Sequence, residues 1–473
     1  MWRTLVWKEA RELLSSAKFA TAFGVTAVLI LLAFYAGARN HLQAVAQHRA
    51  SMAENARRLD GLTDWLTLQE YRVFLPPSPL EALVTGVSSD IGRTAEVLGR
   101  GEISAEDSRF NEDPIFAVFR FLDLTFVFQV VLSLFAIVLG YDAICGEKER
   151  GTLRLTFAQA VPRATYILAK ITGSLLTLGA SLAAALLAGC LLLPVLGVTL
   201  TGEEWLRLAM ILLSGLLYFG AFLALAVCVS ALSHRSSSAF LTLLVAWIMA
   251  ALVLPASAVL LAGRAVPVPS VDEVSSQKAS FARGQFKDFA TAMKDFKAPP
   301  DTPPDDIQAL MAAFQRFSDS LSAERTARQK EFNGRLNEER RNRLRVQERF
   351  ALGAARVSPT ASLSLAMTAF AGTSLVLKNR FYDEAEAYRA RLGDFLKEKT
   401  GVNVTGSMMV WRTTDDSETP EPIDPAELPA FEFRPTSWSE SLREAAGNLS
   451  ILAVFNLVCF AGAFAAFLRY DVR

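Results

Sequence analysis

The stretch GEKERGTLR, Gly146 to Arg154, concentrates charge between two apolar runs and nearly spells a phosphate-binding loop. Such a loop needs GxxxxGK[ST]: the glycines let backbone N–H groups close on the phosphates, the lysine reaches them, and the hydroxyl holds magnesium. Here Thr152 and Leu153 follow the second glycine, and Lys148 lies inside the loop. An apolar run precedes it where a phosphate loop would have a strand, so no nucleotide site is expected. His41, His48 and His234 have no metal-ligand spacing to one another or to Cys145, Cys190, Cys228 and Cys459, and neither GxSxG nor HExxH occurs. The cysteines lie in or beside apolar runs and read as buried, inert thiols. Catalytic, cofactor-binding and metal-binding residues are therefore all expected to be absent from this chain. Asp123, in FRFLDLTFVFQ, is the exception to the lack of charge inside the apolar runs. With Gln129 it is a candidate pathway residue, and an interfacial or helix-capping role is the alternative.

What must position these residues is a set of membrane helices. The chain has 473 residues, 52% of them apolar, with 48 basic and 48 acidic side chains, so its net charge suggests no nucleic-acid partner. Six apolar stretches are long enough to cross a bilayer as helices: 19–38, 119–140, 166–198, 206–232, 238–262 and 446–468. Pro194, near the end of the third, predicts a tilt or kink. Lys and Arg flanking the short loops place both termini in the cytoplasm. The N-terminus does not read as a cleavable signal peptide. Residues 1–18 repeat apolar side chains at Trp2, Leu5, Val6, Ala10, Leu13, Leu14 and Ala17, which predicts an interfacial elbow helix in the headgroup plane. A frayed start to the first span is the alternative.

Two segments remain outside, 39–118 and 263–445. The first is polar, helical at its start, with a turn at LPPSPL. The second reads as a large, mostly helical domain of its own. Phe281, Phe286, Phe289, Met293 and Phe296 keep near-helical spacing, KAPPDTPPDD breaks the helix, and a long helix follows over 305–352. Ile307, Leu310, Phe314, Phe317 and Leu321 on it predict a two-helix seam. Its charged end reads as a solvated face, with an anion groove as the alternative. SPTASLSLAMTAFAGTS reads as a helix at the outer membrane surface. Phe381, Ala385, Tyr388, Leu392 and Phe395 predict another helical seam. GVNVTGSMMVWR is a weak strand candidate, and Asn403 and Asn448 are weak sequon matches. The fold class is thus an all-α membrane protein with six spans.

Residues 141–165 form the cytoplasmic loop between the second and third spans. Glu147, Lys148, Glu149 and Arg150 continue the second helix, Gly151 is suited to a left-handed cap, and Pro162 stops a short helix carrying Leu153, Leu155 and Phe157. This loop resembles permeases of the type-2 ABC transporter superfamily, in the branch of the nitrous-oxide-maturation and gliding permeases. Their pattern is an aromatic–Asp pair, then GExExGTLxxLLxxPxxR, then a span. Tyr141, Asp142, Gly146, Glu147, Glu149, Gly151, Thr152, Leu153, Pro162, Arg163 and Lys170 match it. Cys145 stands where a small residue is common, and Gln159–Pro162 matches only loosely. SPTASLSLAMTAFAGTS with NRFYDEAEAYRARLGDFL is similar to a subfamily with a large extracytoplasmic domain before the last span.

The resemblance implies a permease subunit in a bacterial inner membrane. It implies two separate ATP-binding subunits, which carry the ATP and magnesium, and a second permease, identical or paralogous. It also implies docking of the ATPase through Asp142, Gly146, Glu147, Glu149, Arg150, Gly151, Thr152, Leu153, Arg154, Pro162 and Arg163. The expected function is ATP-driven export or conformational work outside the membrane that moves no substrate. A membrane-anchored receptor or scaffold without an ATPase is the reading from another class, and a membrane-embedded enzyme is disfavoured.

Overall fold

Backbone groups in a lipid core have no water to bond, so apolar runs satisfy them internally as helices. The computed structural model follows this rule. It describes residues 2–68, 70–88, 91–98, 105–106, 123–159, 161–297, 307–400 and 423–469. These fall into two compact units: Met1–Ser257 with Ala354–Arg473, and Ala258–Gly353.

In the first unit, α1 (Trp2–Leu14) precedes α2 (Ala17–Leu59), an unbroken helix that carries the apolar run on into the polar segment. Next come α3 (Leu124–Glu149), the short α4 (Thr152–Ala158), α5 (Arg163–Val195), α6 (Gly202–Leu232) and α7 (Ser236–Ala265), whose residues from Ala258 on belong to the second unit. Among the described residues, seven helices are long and apolar enough to cross a membrane. Six cover the expected spans, and the seventh is Pro359–Thr400. That stretch is broken at Gly372, whose φ of 72° ends α10 (Pro359–Ala371) before α11 (Leu375–Thr400) begins. The bundle closes with α12 (Trp438–Leu468). Pro194 sits in the last turn of α5, where the helix ends anyway.

Close crossings are made by glycine. A Cβ on Gly215 of α6 would lie 2.1 Å from the Phe128 ring of α3, and one on Gly189 of α5 would lie 2.4 Å from Phe34 of α2. Small residues allow helix backbones to approach in this way where no hydrophobic drive exists between apolar neighbours.

The expected surface placement of SPTASLSLAMTAFAGTS is corrected. Of the thirteen residues of α10, twelve are buried, and the helix packs on α6 and α12. At a rise of about 1.5 Å per residue it spans roughly 20 Å, short of the roughly 30 Å hydrocarbon core. Its alanines, serines and threonines let it wedge among the larger helices. Two of those neighbours contain π-helical turns, Val127–Leu132 in α3 and Met249–Val253 in α7. The start of α10 reaches both. The Ser358 hydroxyl donates to the Ala250 carbonyl at 2.5 Å, and Gln129 donates to the Thr360 carbonyl at 3.2 Å. Tyr218 of α6 bonds the Thr360 hydroxyl at 3.0 Å.

The described residues are mostly helical, as expected, with one addition that the all-α expectation lacks. The segment after α2 holds a small antiparallel sheet of β1 (Arg72–Phe74), β2 (Thr94–Glu96) and β3 (Ala105–Glu106), with Val73 opposite Ala95. Strands of two or three residues are too short to write an alternating pattern. The α11 stripe at Phe381, Ala385, Tyr388 and Leu392 is fully buried, as its spacing predicts, but against this sheet's cluster (Val73, Ile91, Ala95, Val97). The span 263–445 is therefore divided: α10 and α11 belong to the first unit.

The second unit is a helical hairpin of α8 (Val271–Lys294) and most of α9 (Ile307–Ala355). Phe281 stacks on Phe332 at 4.0 Å, and Phe296 meets Phe314 and Phe317, each at 5.2 Å. The expected seam is present in part: Phe286, Ile307, Leu310 and Phe314 are exposed. The charged part of α9 carries i,i+4 ion pairs, Glu324–Arg328 and Glu339–Arg343, as a solvated face does. Asn448 is 1% exposed, which removes it as a glycosylation acceptor. Asn403, GVNVTGSMMVWR and the start of the expected second span (119–122) lie outside the described residues.

Candidate functional site

The motif GEKE is a junction, and each of its charged side chains goes to a different helix. Glu147, 6% exposed, turns inward to α5. One of its carboxylate oxygens lies 2.7 Å from the Lys170 ammonium, and the other accepts from the Tyr166 hydroxyl. Lys170 also reaches Glu9 of α1, at 2.9 Å, and Ser174 donates to Glu9 at 3.3 Å. A buried pair that loses one partner leaves a charge without water, so these groups hold each other in place. Gly173 lets the elbow helix come close enough: a Cβ there would meet Glu9 Cβ at 3.1 Å and the Val6 carbonyl at 3.4 Å.

Lys148 donates to the carbonyls of Ala231 and Ser233, where a cation satisfies the last turn of α6. Glu149 accepts from the Ser236 N–H at 3.0 Å and its hydroxyl at 2.6 Å, an acid at the first turn of α7. The Ser230 hydroxyl of α6 accepts from the Ile144 and Cys145 N–H groups, each at 3.0 Å. Asp142 pairs with Lys18 of α2 at 2.6 Å, and Tyr141 accepts from the same ammonium at 3.0 Å.

Gly151 has a φ of 71° and turns the chain into α4. Arg150 folds back on the Gly146 carbonyl at 3.0 Å, and the Thr152 hydroxyl donates to the Glu147 carbonyl at 3.4 Å. On α4, Leu153 is buried, and Phe157 meets Tyr166 and Phe467 at 5.4 and 6.0 Å. The opposite face carries Arg154, exposed, and Leu155, 70% exposed. Pro162 is the N-cap of α5, and Arg163 donates to the Leu468 carbonyl at the end of α12. The motif thus ties α1, α2, α5, α6 and α7 together and presents one large apolar side chain, Leu155, outward.

Glu9 and Tyr166 escape the sequence reading. The signal for Glu9 is a carboxylate three residues after Val6 and four before Leu13, on the buried stripe of an amphipathic helix. Tyr166 lies one turn before Lys170, on the same face. Carboxylate oxygens of Glu9, Glu12 and Glu147 lie within 4.8 Å of one another. Lys170 already sits between two of them and Lys8 pairs with Glu12 at 3.5 Å, so a metal would have to displace an ammonium.

Asp123 and Gln129 both have hydrogen-bond partners within the bundle. Asp123 caps α3, accepting from Phe126 N–H at 2.9 Å and Thr85 N–H at 3.0 Å, and Gln129 is bonded to α10. At the other end of the bundle, Arg207 of α6 gathers Glu203 at 2.8 Å, the Phe370 carbonyl at 3.3 Å, the Ser441 hydroxyl at 3.1 Å and the Thr436 carbonyl at 2.5 Å. It joins the starts of α6 and α12 to the end of α10.

A family model described as "ABC-2 family transporter protein" matches residues 3–472. Comparison with curated proteins gives no match.

Proposed function

The chain belongs to the ABC-2 transporter family, and from that premise we propose that it is the permease subunit of an ATP-driven transporter. Its apolar helices make it a multi-pass membrane protein. In this reading α1, α4 and the two termini lie in the cytoplasm of a bacterial cell, beneath the inner membrane. Six helices cross, and α10 enters the bilayer partway. A second permease, identical or paralogous, completes the membrane unit, and two separate ATP-binding subunits bind and hydrolyse ATP.

The observation that carries the reading is the two-faced α4. Leu153 and Phe157 fasten it to the bundle, while Leu155 is held out. An exposed leucine on a short, bolted helix suits a hydrophobic cleft of a partner, with Arg154 at its rim. Because GEKE ties α4 to five helices, a push on α4 moves them as a body. Docking falls to Leu155 and its neighbours, and Glu147 and Glu149 act indirectly by holding them. In the test, Leu155→Asp loses co-purification with the ATP-binding subunit while the permease stays monodisperse. Unchanged co-purification sinks the docking role.

Whether ATP hydrolysis exports a molecule or does conformational work outside the membrane is a choice the hairpin informs. Its own packed seam and its separation as a compact unit favour work on an extracytoplasmic partner. Removal of 270–350 tests this: loss of cellular function with retained ATPase docking supports it, and full function overturns it.

A further inference from the structure

At the end of the bundle opposite the elbow helix, a cavity of about 330 Å³ opens between the starts of α6 and α11 and the segments 75–81 and 433–436. Pockets of a few hundred Å³ with apolar walls and a few convergent polar groups are where small ligands bind. Leu75, Leu80, Leu377 and Phe433 supply much of the apolar wall.

The walls are preformed. Pro76, Pro77, Pro79 and Pro435 line the cavity with fixed φ. The Thr373 hydroxyl donates to the Val84 carbonyl at 2.9 Å, and the Val87 N–H donates to the Thr373 carbonyl at 3.0 Å. Gly86, with φ 52°, lets the two segments touch, since a Cβ there would lie 2.4 Å from the Thr373 oxygen. A site that is already shaped spends little binding energy on ordering itself.

Its charges do not cancel. Three carboxylates face the cavity: Glu81, Glu203 and Glu204. Arg93 neutralises Glu81, and Arg207 neutralises Glu203. Glu204 has no ion pair among the described residues. It accepts from the Thr201 N–H at 2.7 Å and the Thr201 hydroxyl at 2.9 Å, both through Oε2, which leaves Oε1 for a ligand. His41 of α2 faces Glu81 and Glu204 and hydrogen-bonds the Ser78 backbone. Anions find little here: Arg207 spends its donors on Glu203, Phe370, Thr436 and Ser441, and the N-terminus of α6 is closed by its own capping box.

We propose that this cavity binds a singly charged lipophilic cation, with its apolar body against Leu80, Leu377 and Phe433 and its charge at Glu204. An aromatic ring and an uncompensated carboxylate on a partly dry wall suit an ammonium or phosphonium centre. The site is independent of any ATPase, and its test uses none.

The whole chain in phosphatidylcholine nanodiscs is titrated with tetraphenylphosphonium and with tetraphenylborate, its near-isostere of opposite charge. Empty nanodiscs correct for partition into lipid. Glu204→Gln keeps the capping box, because glutamine accepts the same two bonds, and removes the charge. The expected result is saturable binding of the phosphonium, roughly tenfold or more tighter than the borate, falling by a similar factor in Glu204→Gln. No saturable binding, equal binding of the two ions, or selectivity unchanged in Glu204→Gln each overturns the proposal.

Discussion

Lys170 lies 2.7 Å from Glu147, buried on both sides, and the same ammonium holds Glu9 at 2.9 Å. One cation therefore fastens the N-terminal helix and the end of α3 to the root of α5. Lys170→Met strands two carboxylates out of water and should cost about 3–5 kcal/mol. Size-exclusion profiles after graded heating of the solubilised protein would show an early loss of the monodisperse peak. Glu147→Gln should cost less, since Lys170 keeps Glu9. If Lys170→Met melts with the wild type, the pair does not hold these elements.

Gly151 tests the hinge between that junction and α4. Nothing lies within 4 Å of a Cβ at this position, so its φ of 71° is the sole obstacle to a side chain. Gly151→Ala should destabilise by roughly 1–2 kcal/mol, and Gly151→Asn by less, because Asn tolerates the left-handed region. Equal melting of the two variants would argue against a left-handed turn here.

The α3–α6 crossing can be probed by a pair of substitutions. Gly215→Ala places a methyl against the Phe128 ring and should cost roughly 1–3 kcal/mol through overpacking. Phe128→Leu alone leaves a space. The double variant should be less destabilised than the two single changes added, since each relieves the other. Simple additivity would deny the contact.

Ser358 joins two jobs in one hydroxyl. It caps α10 through the Thr360 and Ala361 N–H groups and donates to the Ala250 carbonyl at the π turn of α7. Ser358→Ala should cost about 1–2 kcal/mol, and Ser358→Thr should restore most of it. Amide exchange should rise at the start of α10 and around Ala250 together. A rise at one place alone would separate the two roles.

The long apolar helices, the N-terminal helix and part of the hairpin seam were legible because each repeats a simple rule over many residues. Phe296 finding Phe314 and Phe317 is such a case, and the Gly151 turn is another. The α10 wedge was not, because a helix buried all round has no polar face to mark it. The sheet at Arg72–Phe74 was too short to show a period. Within the GEKE junction, residue types pointed to charge-assisted contacts, but not to their partners. Glu147 finds Lys170 on another helix, and Glu149 finds Ser236 some 87 residues on. Contacts of that range are set by helix packing, which local spacing does not encode.

The α10 wedge also orders the birth of the molecule. The Gln129 side chain and the Ala250 carbonyl both leave the ribosome before Thr360 and Ser358, which satisfy them. Until α10 is made, the Gln129 amide and the Ala250 carbonyl lack these partners, so the other helices must leave room among them for one more helix.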